Sequence, residues 1–110
     1  MTLTALRGLA ASIVMAAAIM SNLGAPARAE DFKITIDNFT FSPAELKVKV
    51  GDTVTWSNHD DIPHTVVSAG KFRSKAMDTD DGFSFTFTTA GDYKYFCSLH
   101  PHMTGMIKVE

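Results

Sequence analysis

The sequence has a single cysteine, Cys97, so no disulfide can close within the chain. Beyond its first residues it also lacks a helical apolar period, internal repeats, linkers and low-complexity stretches. Those absences exclude a helical bundle, a repeat array and a multidomain chain. No Ser-His-Asp constellation, phosphate-cradling glycine loop or pair of carboxylates suited to acid–base work is evident. Nothing therefore supports enzymatic turnover, and the expectation is a protein that is not an enzyme. With 110 residues there is room for one small domain.

Charge is scarce at the N-terminus, where Arg7 is the only charged residue before Arg28. Leu9 to Met20 is an apolar, Ala-rich run too short to span a bilayer comfortably, and Ala27-Arg28-Ala29 supplies the small residues that a signal peptidase accepts. Residues 1–29 read as a secretory signal, leaving a mature domain of residues 30–110 in the periplasm with no membrane insertion after cleavage. Cleavage removes Arg7 and Arg28, so ten basic residues become eight against twelve acidic ones, and the formal charge moves from −2 to −4. Such mild acidity argues against a nucleic-acid partner, which calls for a basic face. An exported domain this small has little margin from its core alone. An odd cysteine there is a reactive liability unless something, such as a metal, holds it.

What is present is a period of two. Phe32, Ile34 and Ile36 alternate with polar residues, as do Leu46, Val48 and Val50, then Val54 and Trp56 after Gly51-Asp52. His64-Thr65-Val66-Val67 reads as the start of a strand and residues 68–82 as irregular. Phe83, Phe85 and Phe87 share one face of a further strand, and Tyr93, Tyr95 and Cys97 one face of the next; Ile107 and Val109 close the chain. Seven or eight short strands separated by turn residues predict an all-β fold, a Greek-key antiparallel β-sandwich.

The chemistry concentrates at the end of the penultimate strand, where Cys97, His100 and Met103 follow one another at three-residue spacing. A lone cysteine is usually a buried structural thiol, a loop histidine is usually solvated, and methionine commonly fills core gaps. Thiolate, imidazole and thioether in one short loop together make three legs of a soft-metal site. A second histidine would complete the His2Cys set with a weak axial Met that marks a blue-copper electron-transfer centre. Upstream, His59 and His64 both qualify. His64 follows Pro63, which fixes its direction, whereas His59 lies among Asn58, Asp60 and Asp61. Met106 competes with Met103 for the axial place but belongs to the start of the last strand.

Cys97-x2-His100-x2-Met103 after Gly91-Asp92-Tyr93-Lys94-Tyr95-Phe96 resembles the copper loop of the cupredoxins, in the branch whose loop is shortest. The likeness runs through most of the chain after residue 30. The resemblance implies two sheets with one type 1 copper ion at one end, held by His64, Cys97, His100 and Met103; the stretch Val54-Thr55-Trp56-Ser57-Asn58 to Pro63-His64-Thr65-Val66 matches the pattern in which the histidine before the threonine is the ligand. It implies a monomeric carrier of single electrons by Cu(II)/Cu(I) cycling, with donor and acceptor redox proteins docking near His100. There the ligand ring edge reaches the surface among Pro63, Leu99, Pro101 and Met77. Asp60, Asp61, Asp78, Asp80 and Asp81 are expected as solvated loop charges that can steer a basic partner. A copper carrier or resistance protein without electron transfer is the alternative, and zinc, which rarely takes a thioether, a weaker one. Two departures from the pattern stand out: Thr65 replaces the Asn that ties the two ligand loops together in many members, and His102 replaces an aromatic.

Overall fold

Trp56 lies at the centre of the strand that organises the core. Strand β4 (Thr53–Asn58) alternates outward and buried side chains, so Val54, Trp56 and Asn58 all point inward. The computed structural model describes residues 29–110, and the proposed signal at 1–29 lies, except for Ala29, outside them. The remaining strands are β1 (Asp31–Asp37), β2 (Thr40–Ser42), β3 (Glu45–Val48), β5 (Val67–Ser68), β6 (Phe72–Arg73), β7 (Gly82–Thr86), β8 (Gly91–Phe96) and β9 (Thr104–Val109). One sheet runs β2-β1-β4-β7 and the other β3-β9-β8-β5-β6. Among the described residues no helix is long and apolar enough to cross a membrane.

The two-layer sandwich is as the alternation implies, but its pairing is mixed. β1 runs parallel to β4, with Ile34 opposite Trp56 and Ile36 opposite Asn58, and β3 runs parallel to β9. Period two is the same in parallel and antiparallel strands, so the pattern is silent on direction. Connection length is what differs, and here the chain leaves β1 and passes through β2 and β3 before β4 returns alongside. Two further local readings are amended. The strand after Pro63 begins at Val67, not His64, which makes only an isolated bridge to Met77. Residues 68–82 contain the short hairpin β5–β6, closed by the Lys71 N–H donating to the Ser68 carbonyl at 2.9 Å.

Between the sheets the core is aromatic. Tyr95 packs edge-on against Phe41 (4.8 Å between centroids) and Trp56 (5.4 Å), while Phe72, Phe85, Phe87 and Tyr93 continue the cluster. Edge-to-face pairs add roughly 0.5–1.5 kcal/mol each beyond their buried area, which helps a domain this small. Because Tyr93, Tyr95 and Cys97 share an inward parity, the strand that anchors the core delivers the sulfur, fully buried, at its end.

Candidate metal centre

Cys97 is the first residue after β8, and the loop that follows is wound tightly. The His100 N–H donates to the Cys97 carbonyl (3.3 Å), the Met103 N–H to the His100 carbonyl (2.9 Å), and the Cys97 N–H to the Met103 carbonyl (3.1 Å). Pro101 cannot donate and biases His100 away from helix, which suits the nested turns. Met103 ends buried against the core, and His100 half-buried. From the other side comes His64, fully buried, held by reciprocal backbone hydrogen bonds to Met77 at 3.2 and 2.8 Å.

The loops bring the donor atoms of His64, Cys97 and His100 together, all within 4.8 Å of one another. Cys97 Sγ lies 3.8 Å from His64 Nδ1 and 3.7 Å from His100 Nδ1. An ion bonded at roughly 2.0–2.3 Å to three donors in its plane holds them about 3.5–4 Å apart, so the two edges at the sulfur have the right size for one ion and the third, at no more than 4.8 Å, is close to it. One thiolate and two imidazoles, with a thioether in the same loop, also have the softness that suits copper. Among the other candidates, His59 is exposed and His102 is exposed, whereas Met106 sits in β9 opposite Lys94 and Glu45.

Thr65 does join the two ligand loops. Its N–H points at Cys97 Sγ (3.4 Å), and its hydroxyl oxygen accepts the Ser98 N–H at 2.7 Å and lies 2.8 Å from Ser98 Oγ. The shorter Thr65 hydroxyl therefore makes the tie at the position where many family members carry Asn. These contacts set the thiol's acidity. Burial alone would raise the thiol pKa, but hydrogen bonds donated to the sulfur, the Thr65 N–H first among them, bring it from 9.0 down to about 6.

A depressed folded value means that thiolate stabilisation is complete above the unfolded pKa and is lost as pH falls through about 6. In the metal-free protein, the ultraviolet thiolate absorbance should therefore titrate with a midpoint near 6. A midpoint at the ordinary value of 9.0 would contradict the hydrogen-bonded thiolate.

Two contributors escaped the sequence. Phe39, 43% exposed, sets its ring edge-on to both imidazoles, 5.4 Å from His64 and 5.2 Å from His100 between centroids. Asp60, expected as a solvated loop charge, instead places Oδ2 2.8 Å from His64 Nε2, with its side chain only 11% exposed. Its burial works to raise its pKa, but N–H donors from Phe39 and Asn38 and the imidazole outweigh that and hold it below the ordinary carboxylate value. Met77, expected near the surface patch, is buried at 3% as part of the hydrophobic core, while its backbone braces His64. Only an Asn favouring a left-handed turn hinted at the β1–β2 corner, and nothing local placed it against the site.

A family model described as a cupredoxin-like domain matches residues 9–109. Amicyanin from Paracoccus denitrificans is 38% identical over 94 residues, spanning 78% of this chain and 72% of that protein. Among solved structures, an amicyanin variant in its oxidized state superposes with a TM-score of 0.70 at 37% identity, covering 73% of this chain and 82% of that one. The Cu(I) form of another amicyanin variant gives 0.70 at 35% identity, covering 80% and 88%.

Proposed function

The chain belongs to the cupredoxin family, and from that premise we propose that it is a periplasmic type 1 copper protein that passes single electrons between redox partners. The observation that carries this reading is the closed triangle of His64 Nδ1, Cys97 Sγ and His100 Nδ1 at one end of the sandwich. When bound, copper supplies the one-electron Cu(II)/Cu(I) couple. His64, Cys97, His100 and Met103 would be the residues that hold it.

The chain's own part is to keep those donors still. The sulfur is fixed by Thr65 and by the loop's nested hydrogen bonds, and His64 by Met77. A frame that barely rearranges between charge states favours rapid exchange, and complete burial of His64 and Cys97 leaves no open position for substrate chemistry. The same burial favours an electron carrier over a copper-delivery protein, which must release its ion.

His100 is the half-buried member, ringed by exposed Leu99, Pro101 and Phe39. An exposed apolar patch built from a few loop residues suits brief docking, with a small interface and rapid release. Donor and acceptor would use it in turn, the protein acting as a monomer exported by way of residues 1–29.

The axial assignment is open to a paired test. Met103→Ala should shift the reduction potential measured by voltammetry and leave the copper blue, while Met106→Ala leaves the potential in place. The opposite pattern would move the axial ligand to Met106.

A further inference from the structure

Resting on the copper reading, we propose that Asp60 is a positioning residue of the metal centre. Its carboxylate fixes the tautomer of His64 and at the same time holds Phe39 over both imidazoles. Three donors converge on its two oxygens. The Asn38 N–H donates to Oδ1 at 2.6 Å, and the Phe39 N–H (3.0 Å) and His64 Nε2 (2.8 Å) meet Oδ2.

An ionised carboxylate only accepts hydrogen bonds. The imidazole facing it must carry its proton on Nε2, and the lone pair of Nδ1 is then directed at Cys97 Sγ, 3.8 Å away. The tautomer required for metal binding is thus written into the protein before any ion arrives. Partners of this kind orient metal-binding histidines in many sites, and their loss typically costs roughly 10–100-fold in affinity.

The second half concerns backbone. Asn38 and Phe39 both adopt left-handed conformations, with φ of 51° and 58°. Asn tolerates this, but the Cβ of a Phe crowds the following carbonyl there, so something must hold it. The two N–H groups exposed by that corner are the ones Asp60 accepts. Capturing them fixes the corner that carries the Phe39 ring to its edge-on contacts with His64 and His100.

Asp60 is itself firmly mounted. Its N–H donates to Asn58 Oδ1 (3.0 Å) and its carbonyl accepts the Thr79 hydroxyl (2.7 Å). Asn58, fully buried, donates in turn to the carbonyls of Ile62 and Met77. The loop before His64 is therefore a braced unit and not a solvated tether. For His100 no comparable carboxylate is present among the described residues, so the inner imidazole is locked by a charge and the outer one rests on ring packing against Phe39 and His64.

The test begins on the metal-free, wild-type protein with 15N-labelled histidine, at mildly alkaline pH. Long-range 1H–15N correlations should show His64 with its proton on Nε2. In Asp60→Ala a population with the proton on Nδ1 should appear, and copper affinity, measured by competition against a chelator, should fall at least tenfold. Phe39→Ala should keep the wild-type tautomer, because the carboxylate remains. The proposal is overturned by a wild-type His64 protonated on Nδ1, or by an Asp60→Ala protein that keeps both the tautomer and the affinity. The first result needs no variant to fold. Since the tautomer is read without copper, its failure is separate from failure of the copper reading, which would appear as a wild-type protein that stays colourless with Cu(II).

Discussion

Cys97→Ser should bind Cu(II) without the intense visible absorption of the wild-type protein. The colour arises from charge transfer out of a thiolate, and Cys97 is the only residue in the chain that can supply one. The sulfur is set up for its anionic form by the backbone N–H of Thr65, with a pKa lowered to about 6. A serine hydroxyl ionises far too weakly for the same contacts to make it an alkoxide, so the donor would be neutral, hard and short by one charge. Copper affinity should fall by more than the roughly 10–100-fold expected when an outer partner of a ligand is removed. The fold should survive, because the hydroxyl is smaller than the thiol and keeps the Thr65 N–H as a partner. Circular dichroism with and without copper separates the two effects. A variant that remained intensely blue would remove the thiolate from the centre.

Gly105→Ala should be the most destabilising alanine substitution among the described glycines. Gly105 pairs with Tyr95 across β8 and β9, and the Tyr95 ring folds over it. A Cβ at Gly105 would lie 2.3 Å from both Cζ and Oη of Tyr95, and 2.8 Å from Cε1. The far end of an exposed side chain would swing away, but Tyr95 is 2% exposed and wedged against Phe41 and Trp56. Its hydroxyl has no hydrogen-bond partner of ordinary geometry, nor has the Trp56 indole N–H. Burial pushes the phenol up to about 12. The tyrosine is therefore held by packing and has no polar anchor to rotate toward. Overpacking of this kind costs about 1–3 kcal/mol, and the depth of the overlap points to the upper end. In a domain of this size that is a fall of roughly 10–20 °C in Tm. A change within about 0.5 kcal/mol, the range of an ordinary surface substitution, would mean that the ring is freer than its contacts indicate.

Much of this molecule was legible in its sequence, for local reasons. Alternation gave inward parity to Ile34, Ile36, Val54, Trp56, Tyr93, Tyr95 and Cys97, because the pleat forces it. The Cys97–Met103 spacing put three donors in one loop because so short a connection has few ways to wind. What stayed hidden depends on contacts between distant segments. Parallel pairing of β1 with β4 is invisible to a period that both directions share. Met77 read as a surface residue because nothing nearby reveals that its backbone bridges His64. Asp60 read as loop charge because its three donors come from the β1–β2 corner and from a histidine whose orientation only the fold decides. Phe39 went unnoticed for the same reason. That Thr65 can stand in for Asn as the tie between the loops depends likewise on the fold, which brings the Ser98 N–H to its hydroxyl.

The central claim is that one ion is held by the donors of His64, Cys97, His100 and Met103. Its most direct test is the visible and EPR spectrum of the domain of residues 30–110 titrated with Cu(II). The account predicts an intense blue absorption that saturates at one copper per chain, with the narrow copper hyperfine splitting of a thiolate-bound site. A colourless complex with the wide splitting of ordinary tetragonal Cu(II) would contradict it.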